Sequence, residues 1–241
     1  MTRRAKFLVL AAAVAVVVFV GGPWVYINVI RDPAAESFLD AVTATSLVEM
    51  GDTTTSTAGD TDAAPAAVLE DANGVWQVTA ESQVGYRVDE VLFGQNVTAV
   101  GRTNDVAGSI TIADLVVTAA KFSVDMTTVK SDRPKRDAQF ASRIMDTLNF
   151  PTATFVLDNP INVSSSALTS NFTHQATGTL TLRGTSKSVE VSILSAVRDG
   201  SIVLVGQIPI VFAEWAIPNP SIPGISTEDS GLLEFNLVLG R

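Results

Sequence analysis

Cysteine is absent from the 241 residues, and histidine occurs once. Without a thiol the chain has no disulfide, no thiolate nucleophile, no Cys-ligated zinc or iron–sulfur cluster and no lipidated N-terminal cysteine. The single histidine, His174, leaves little metal or acid–base chemistry. It lies between Thr173 and Gln175 at the start of a strand-like run, nothing marks a serine partner, and it reads as an exposed strand histidine rather than a triad member. A phosphate-cradling P-loop, a dinucleotide glycine fingerprint and a Gly-x-Ser-x-Gly elbow are also missing, so nucleotide and α/β-hydrolase chemistry lack a starting residue. Positive charge is scarce: 16 Lys and Arg face 25 Asp and Glu, for a net charge of -9. That field repels phosphate backbones and argues against nucleic acid as a partner. Glu228-Asp229, the clearest carboxylate pair, sits among Gly, Ser, Thr and Pro and reads as a solvated loop. The expectation is a protein that is not an enzyme and carries no metal and no cofactor.

What is present begins with an apolar run. Phe7 to Ile30 is 24 residues without a charge, preceded by Arg3, Arg4 and Lys6. At about 1.5 Å per residue such a helix exceeds the roughly 30 Å hydrocarbon core of a bilayer. A cleaved signal peptide, the competing reading, has an apolar core of up to about 15 residues before its cleavage site. Here Trp24, Val25 and Tyr26 extend the run past Gly21, Gly22 and Pro23, where cleavage is expected. The expectation is a basic cytoplasmic N-terminus over 1–6, a transmembrane helix over 7–30, and export of everything after it, because the basic residues precede the span. The protein is then a single-pass protein of the cytoplasmic membrane with its N-terminus inside and an extracytoplasmic C-terminal domain.

Residues 31–74 carry one basic and nine acidic residues. Gly51 to Ala67 contains no large apolar residue and cannot bury enough surface to offset its ordering entropy. The segment reads as a flexible acidic linker, about 35–40 Å from end to end as a random chain. Phe38, Leu39, Val42, Leu47, Val48 and Met50 make its first part more apolar, and there a short juxtamembrane helix competes with plain linker.

Residues 75–241 are long enough for a full hydrophobic core without covalent staples. Their pattern has period two. Val84, Tyr86 and Val88 alternate with polar or small residues, as do Phe122, Val124 and Met126, Leu180 and Leu182, Val189, Val191 and Ile193, and Leu233, Phe235, Leu237 and Leu239. Asn104-Asp105, Asp158-Asn159-Pro160, Arg183-Gly184 and Asp199-Gly200 mark turns. Asp132 to Leu148 breaks the alternation, with Asp132 as N-cap, Pro134 in the first turn, and Phe140, Ile144 and Leu148 on one helical face. Its start holds the densest charge cluster of the domain, Asp132, Arg133, Lys135, Arg136 and Asp137. That cluster is either a solvated helix start with Asp132 pairing Arg136, or a polar mouth in which Arg133, Arg136 and Asp137 meet a ligand head group. About eight antiparallel strands with one or two short helices indicate a barrel or a sandwich.

These residues resemble the YceI-like family of periplasmic polyisoprenoid-binding proteins. The resemblance rests on Trp76-Gln77-Val78, Ser82 to Val88, Val100-Gly101-Arg102, Gly108 to Ile112, Arg136 to Phe140, Met145-Asp146, Phe150-Pro151-Thr152-Ala153-Thr154-Phe155 and Gly178 to Thr185. Glu81 and Glu90 stand where many relatives have histidine, and Met145 where phenylalanine is common. The resemblance implies a mostly β, antiparallel, lipocalin-like eight-stranded barrel. It also implies a non-catalytic carrier, store or sink for a long-chain isoprenoid or quinone-like lipid. With strand phase added, Tyr86, Val88, Phe122, Val124, Met126, Phe140, Met145, Phe155 and Trp215 are the expected wall and mouth residues. The alternative is a stress-response or protein-interaction module whose barrel is filled by its own side chains. Nothing in the sequence decides the oligomeric state.

Overall fold

The computed structural model describes residues 33–42, 72–163 and 172–241. The apolar run 7–30 and most of the acidic linker lie outside the described residues. Among those that are described, no helix is long and apolar enough to cross a membrane.

Among the described residues thirteen strands form one antiparallel sheet: β1 (Gly74–Val78), β2 (Gln83–Leu92), β3 (Gln95–Thr103), β4 (Val106–Ala113), β5 (Val116–Asp125), β6 (Lys130–Ser131), β7 (Thr152–Leu157), β8 (Ile161–Asn162), β9 (Phe172–Leu182), β10 (Thr185–Arg198), β11 (Ser201–Val211), β12 (Ile225–Thr227) and β13 (Ser230–Gly240). Hydrogen bonding runs β1-β4-β5-β7-β9-β10-β11-β13, and β13 pairs back onto β1, closing a ring of eight strands. The ring itself is closed, and beyond it the sheet continues from β13 through β2 and β3 to the two-residue β6. β13 pairs with β1 near Gly240 and with β2 from Leu232 to Asn236. β4 likewise continues β3, so β1–β2 and β3–β4 act as two bent strands broken at Thr79–Ser82 and at Asn104-Asp105. Ser82 holds the first bend: its fully buried hydroxyl donates to the Val238 carbonyl at 3.1 Å and accepts from the Val238 amide at 2.9 Å.

The expected alternation is present in the strands. Leu180, Leu182, Val191, Ile208 and Ile210 are buried in one cluster with Phe140 and Met145, and Trp76, Ile110, Ile112, Ile202 and Leu239 form a second cluster at the other end. The Arg183-Gly184 and Asp199-Gly200 turns have positive φ at both residues, the geometry whose twist matches two-residue hairpins.

The helical region departs from the expected single amphipathic helix. Helix α1 covers only Pro134–Gln139, Arg133 rather than Asp132 occupies the N-cap position, and the chain continues as one π-turn over Phe140–Ile144. In that turn the Met145 amide bonds to the Phe140 carbonyl at 2.8 Å, an i to i+5 step. Phe140 and Met145 are buried, but the helical stretch ends at Ile144 and the chain reverses at Asp146, φ 50°, so Leu148 lies in the following turn and is 90% exposed.

The acidic linker also departs from expectation. Residues 33–42, with a helical stretch over 38–42, pack on the outside of the barrel. Phe38 joins Ala196, Val203 and Val205 in a third buried cluster, flanked by Leu39, Val42 and Val238. This strap covers an outward-facing carboxylate. Glu234 is fully buried, with Arg87 Nε at 3.4 Å and Arg102 Nη2 at 2.8 Å from its oxygens. The two guanidiniums in turn donate to the carbonyls of Ala35 and Glu36, and Phe38 lies over Arg102 at 4.0 Å. Ser37 accepts from Gln207 at 2.9 Å.

Candidate functional site

One end of the barrel is open. A cavity of about 580 Å³ enters there, bounded by the β2–β3 hairpin, α1 with its π-turn, and the chain from Ile217 to Ile225. Its depth is apolar: Val84, Ala99, Val124, Val129, Ala153, Leu182, Ile210 and Leu233 line it. Its rim mixes Leu92, Phe93, Ile222 and Ile225 with Glu90, Arg133, Lys135, Arg136 and Gln139.

Each wall element delivers its side chains for a local reason. On β2, period two turns Val84, Tyr86 and Val88 inward together. Tyr86 stacks on Phe140 with ring centroids 5.2 Å apart and planes 13° from parallel. Gly101, opposite on β3, makes room for it, since a Cβ there would lie 2.4 Å from the ring. Burial pushes the Tyr86 phenol well above its ordinary pKa, with the charge of Arg136 opposing, so it is a neutral hydroxyl in the wall. At the rim Arg136 bridges Asp132 and Glu90, the latter at 3.5 Å, and Arg143 donates to the Pro220 carbonyl at 3.0 Å, tying the π-turn to the opposite lip. The Asp132–Arg136 pairing expected from their spacing is therefore present, and Arg136 also faces the cavity.

Of the residues singled out from the sequence, Tyr86, Val88, Val124, Met126, Phe140 and Met145 line this cavity, and Arg133 and Arg136 stand at its rim. The others are placed elsewhere. Phe122 and Phe155 line a second, smaller space of about 90 Å³ at the opposite end, because they lie further along their strands. Phe155 also packs against the core of the mouth end, so its ring stands between the two spaces, above Gly178, where a Cβ would lie 2.2 Å from it. Trp215 is 2% exposed in that core, on the 3-10 turn Phe212–Trp215, with Lys187 Nζ 5.8 Å from its ring. Asp137 points away from the mouth: its carboxylate accepts from the Ser131 amide and hydroxyl at 2.8 and 2.6 Å, tying α1 to β6.

His174 is not the exposed strand residue expected. It faces inward in the lower space, half-buried, with Nε2 3.0 Å from Ser195 Oγ and its ring against Phe172. Burial lowers its pKa. Among the described residues its contacts include no carboxylate, so the pair lacks the third member that orients a catalytic histidine. No group of three or more His, Asp or Glu there stands close enough to hold a metal ion.

Sequence reasoning missed the rim residues Leu92, Phe93, Ile222 and Ile225, and the strap. Leu92 continues the inward phase of β2 through Tyr86, Val88 and Glu90 and was readable by alternation, whereas Phe93 stands in the hairpin turn and Ile222 and Ile225 flank another, where periodicity carries little face information. The strap had a readable partner: Ile202-Val203-Leu204-Val205 is a continuous apolar run rather than an alternation, the mark of a strand covered on both faces.

A closed eight-stranded antiparallel barrel with one open, apolar mouth defines a lipocalin-like binding fold. The chain belongs to the YceI-like family, whose domain matches residues 76–239. Among solved structures, a polyisoprenoid-binding domain from Saccharophagus degradans implicated in plant cell wall breakdown aligns with a TM-score of 0.55 and 13% identity, over 69% of this chain and 98% of that one. BcnA of Burkholderia cenocepacia aligns with a TM-score of 0.53 and 19% identity, over 67% and 98%. At these identities the likeness establishes the fold. No curated protein matches the chain.

Proposed function

We propose that the barrel holds the chain of an isoprenoid or similar amphiphilic lipid in the cavity beneath Tyr86 and Phe140, without transforming it. The observation that carries this reading is the cavity itself: about 580 Å³, apolar in depth and cationic at the rim. That volume falls in the range of small-ligand sites. Each buried methylene contributes about 0.8 kcal/mol, which gives affinity without polar recognition. Arg133, Lys135 and Arg136 suit an anionic or polar head group left at the rim. The name of the Saccharophagus domain and the family membership support a polyisoprenoid as the ligand class. The apolar run 7–30 supports an anchor in the cytoplasmic membrane with the barrel outside it.

The test is lipid extraction and mass spectrometry of the full chain, beside folded Val88→Glu and Phe140→Glu variants. A stoichiometric prenyl or quinone species in the wild type, depleted in both variants, is expected. An empty wild-type barrel that also takes up no added isoprenoid would instead support the protein-interaction module.

A further inference from the structure

Residues 33–42 lie outside the family domain, yet they are built into the outer wall of the barrel, and they run across it in a definite direction. Pro33, Ala34 and Ala35 border a cleft with Thr98, Val100 and Arg102 of β3 and with Lys130, Ser131 and Asp132 beside it. Ala35 and Glu36 meet Arg87 and Arg102 at mid-barrel, and Phe38 and Val42 reach Val203 and Val238, near the far end. From Pro33 to Val42 the strap thus runs toward the far end, with Pro33 its mouthward end. The apolar run ends at Ile30, three residues earlier. At no more than about 3.6 Å per residue, that allows a separation of roughly 11 Å.

The mouth is shaped for such a neighbour. Phe93 occupies the tip of the β2–β3 hairpin at φ 48°, a left-handed position that bulky residues avoid, and it is 63% exposed. Its amide bonds to the Gly224 carbonyl at 3.0 Å, fixing the tip against the opposite lip, where Ile222 is also exposed. Lys135 and Arg143 are exposed beside them on α1 and the π-turn. Apolar tips among cations suit the interface of a bilayer containing anionic phospholipid.

We infer that the strap docks the barrel mouth-down on the membrane in which residues 7–30 are anchored, with Phe93 at the lipid interface, so that the cavity opens to the bilayer rather than to water. The inference rests on the anchored lipid-binding reading above. It replaces the long flexible tether with a short rigid one.

Because the chain has no cysteine, single thiols can be placed at will. The full chain is reconstituted in vesicles of phosphatidylcholine and phosphatidylglycerol carrying a nitroxide-labelled phospholipid. A fluorophore is attached at Phe93→Cys, at Gln95→Cys as a guard against a label entering the cavity, or at Leu115→Cys in the far-end β4–β5 turn. Quenching several-fold stronger at 93 and 95 than at 115 is expected, and Phe38→Asp, which undocks the strap, should abolish the difference while the protein still floats with the vesicles. Equal quenching at both ends, or failure of the chain to float, overturns the inference. Prenyl lipid extracted from the same samples is read separately: its absence with positions 93 and 95 still quenched supports the orientation while removing the ligand reading.

Discussion

Phe155 is the residue on which the size of the cavity turns. Its ring separates the upper space from the lower one and rests on the hydrogen-only face of Gly178. Phe155→Ala is expected to join the two spaces and shift the extracted lipids toward longer chains. An unchanged chain-length distribution in a folded variant would show that the floor lies elsewhere. His174 gives a pH signature. Its folded pKa lies below the usual 6.5, so the unfolded chain binds the proton first as pH falls, and stability present above about 6.5 is lost on acidification. His174→Gln should flatten the fall in denaturant midpoint between about pH 7 and pH 5. An identical slope in the variant would move the acid sensitivity to another group. Glu234 is the most consequential charge: Glu234→Ala leaves Arg87 and Arg102 facing each other under the strap and should cost about 3–5 kcal/mol, read from denaturant unfolding.

Among the elements, the strap and the helical region show what periodicity can and cannot convey. The phase of β2, β5, β9, β10 and β13 was readable because one face of each strand meets the interior. Depth was not, which is why Phe122 and Phe155 fall in the lower space although their phase is right. The π-turn was invisible because a face drawn at 3.6 residues per turn assumes that no residue is inserted, and the early stop was too, since the helix ends at Ile144 and leaves Leu148 in the turn after Asp146, facing solvent. The strap was obscured by composition: Phe38, Leu39 and Val42 stand in an acidic stretch, and only the Val203–Val205 run on β11 indicates that something covers it. Phe38→Ala should release the strap locally. Hydrogen exchange is expected to accelerate over 33–42, with the barrel strands still protected. Equal loss of protection across the barrel would make the strap part of the global folding unit instead.

At the level of the whole molecule, a closed ring needs no partner to satisfy its strands, and the mouth is where the interior communicates with the exterior. The family resemblance was legible from Trp76 to Leu239, since the glycines and aromatics that carry it serve packing: Gly101 admits Tyr86, and Gly178 admits Phe155. Outside that span nothing in the family pattern speaks for residues 33–42. Their placement came from pairing apolar and charged groups on the outer wall.

The strap also bears on how the barrel behaves as a material. A fragment cut at the start of β1 retains Val203, Val205 and Val238 as a bare stripe, with the Glu234 cluster beside them. Two such stripes match each other, apolar against apolar, as in a self-complementary dimer contact. The fragment 72–241 should therefore self-associate with concentration in sedimentation experiments, and a synthetic peptide of residues 33–42 should return it to the monomer. If the fragment stays monomeric at every concentration, the stripe is not adhesive. Self-association of the fragment would make ten residues that the barrel does not need in order to close the guard of its colloidal stability.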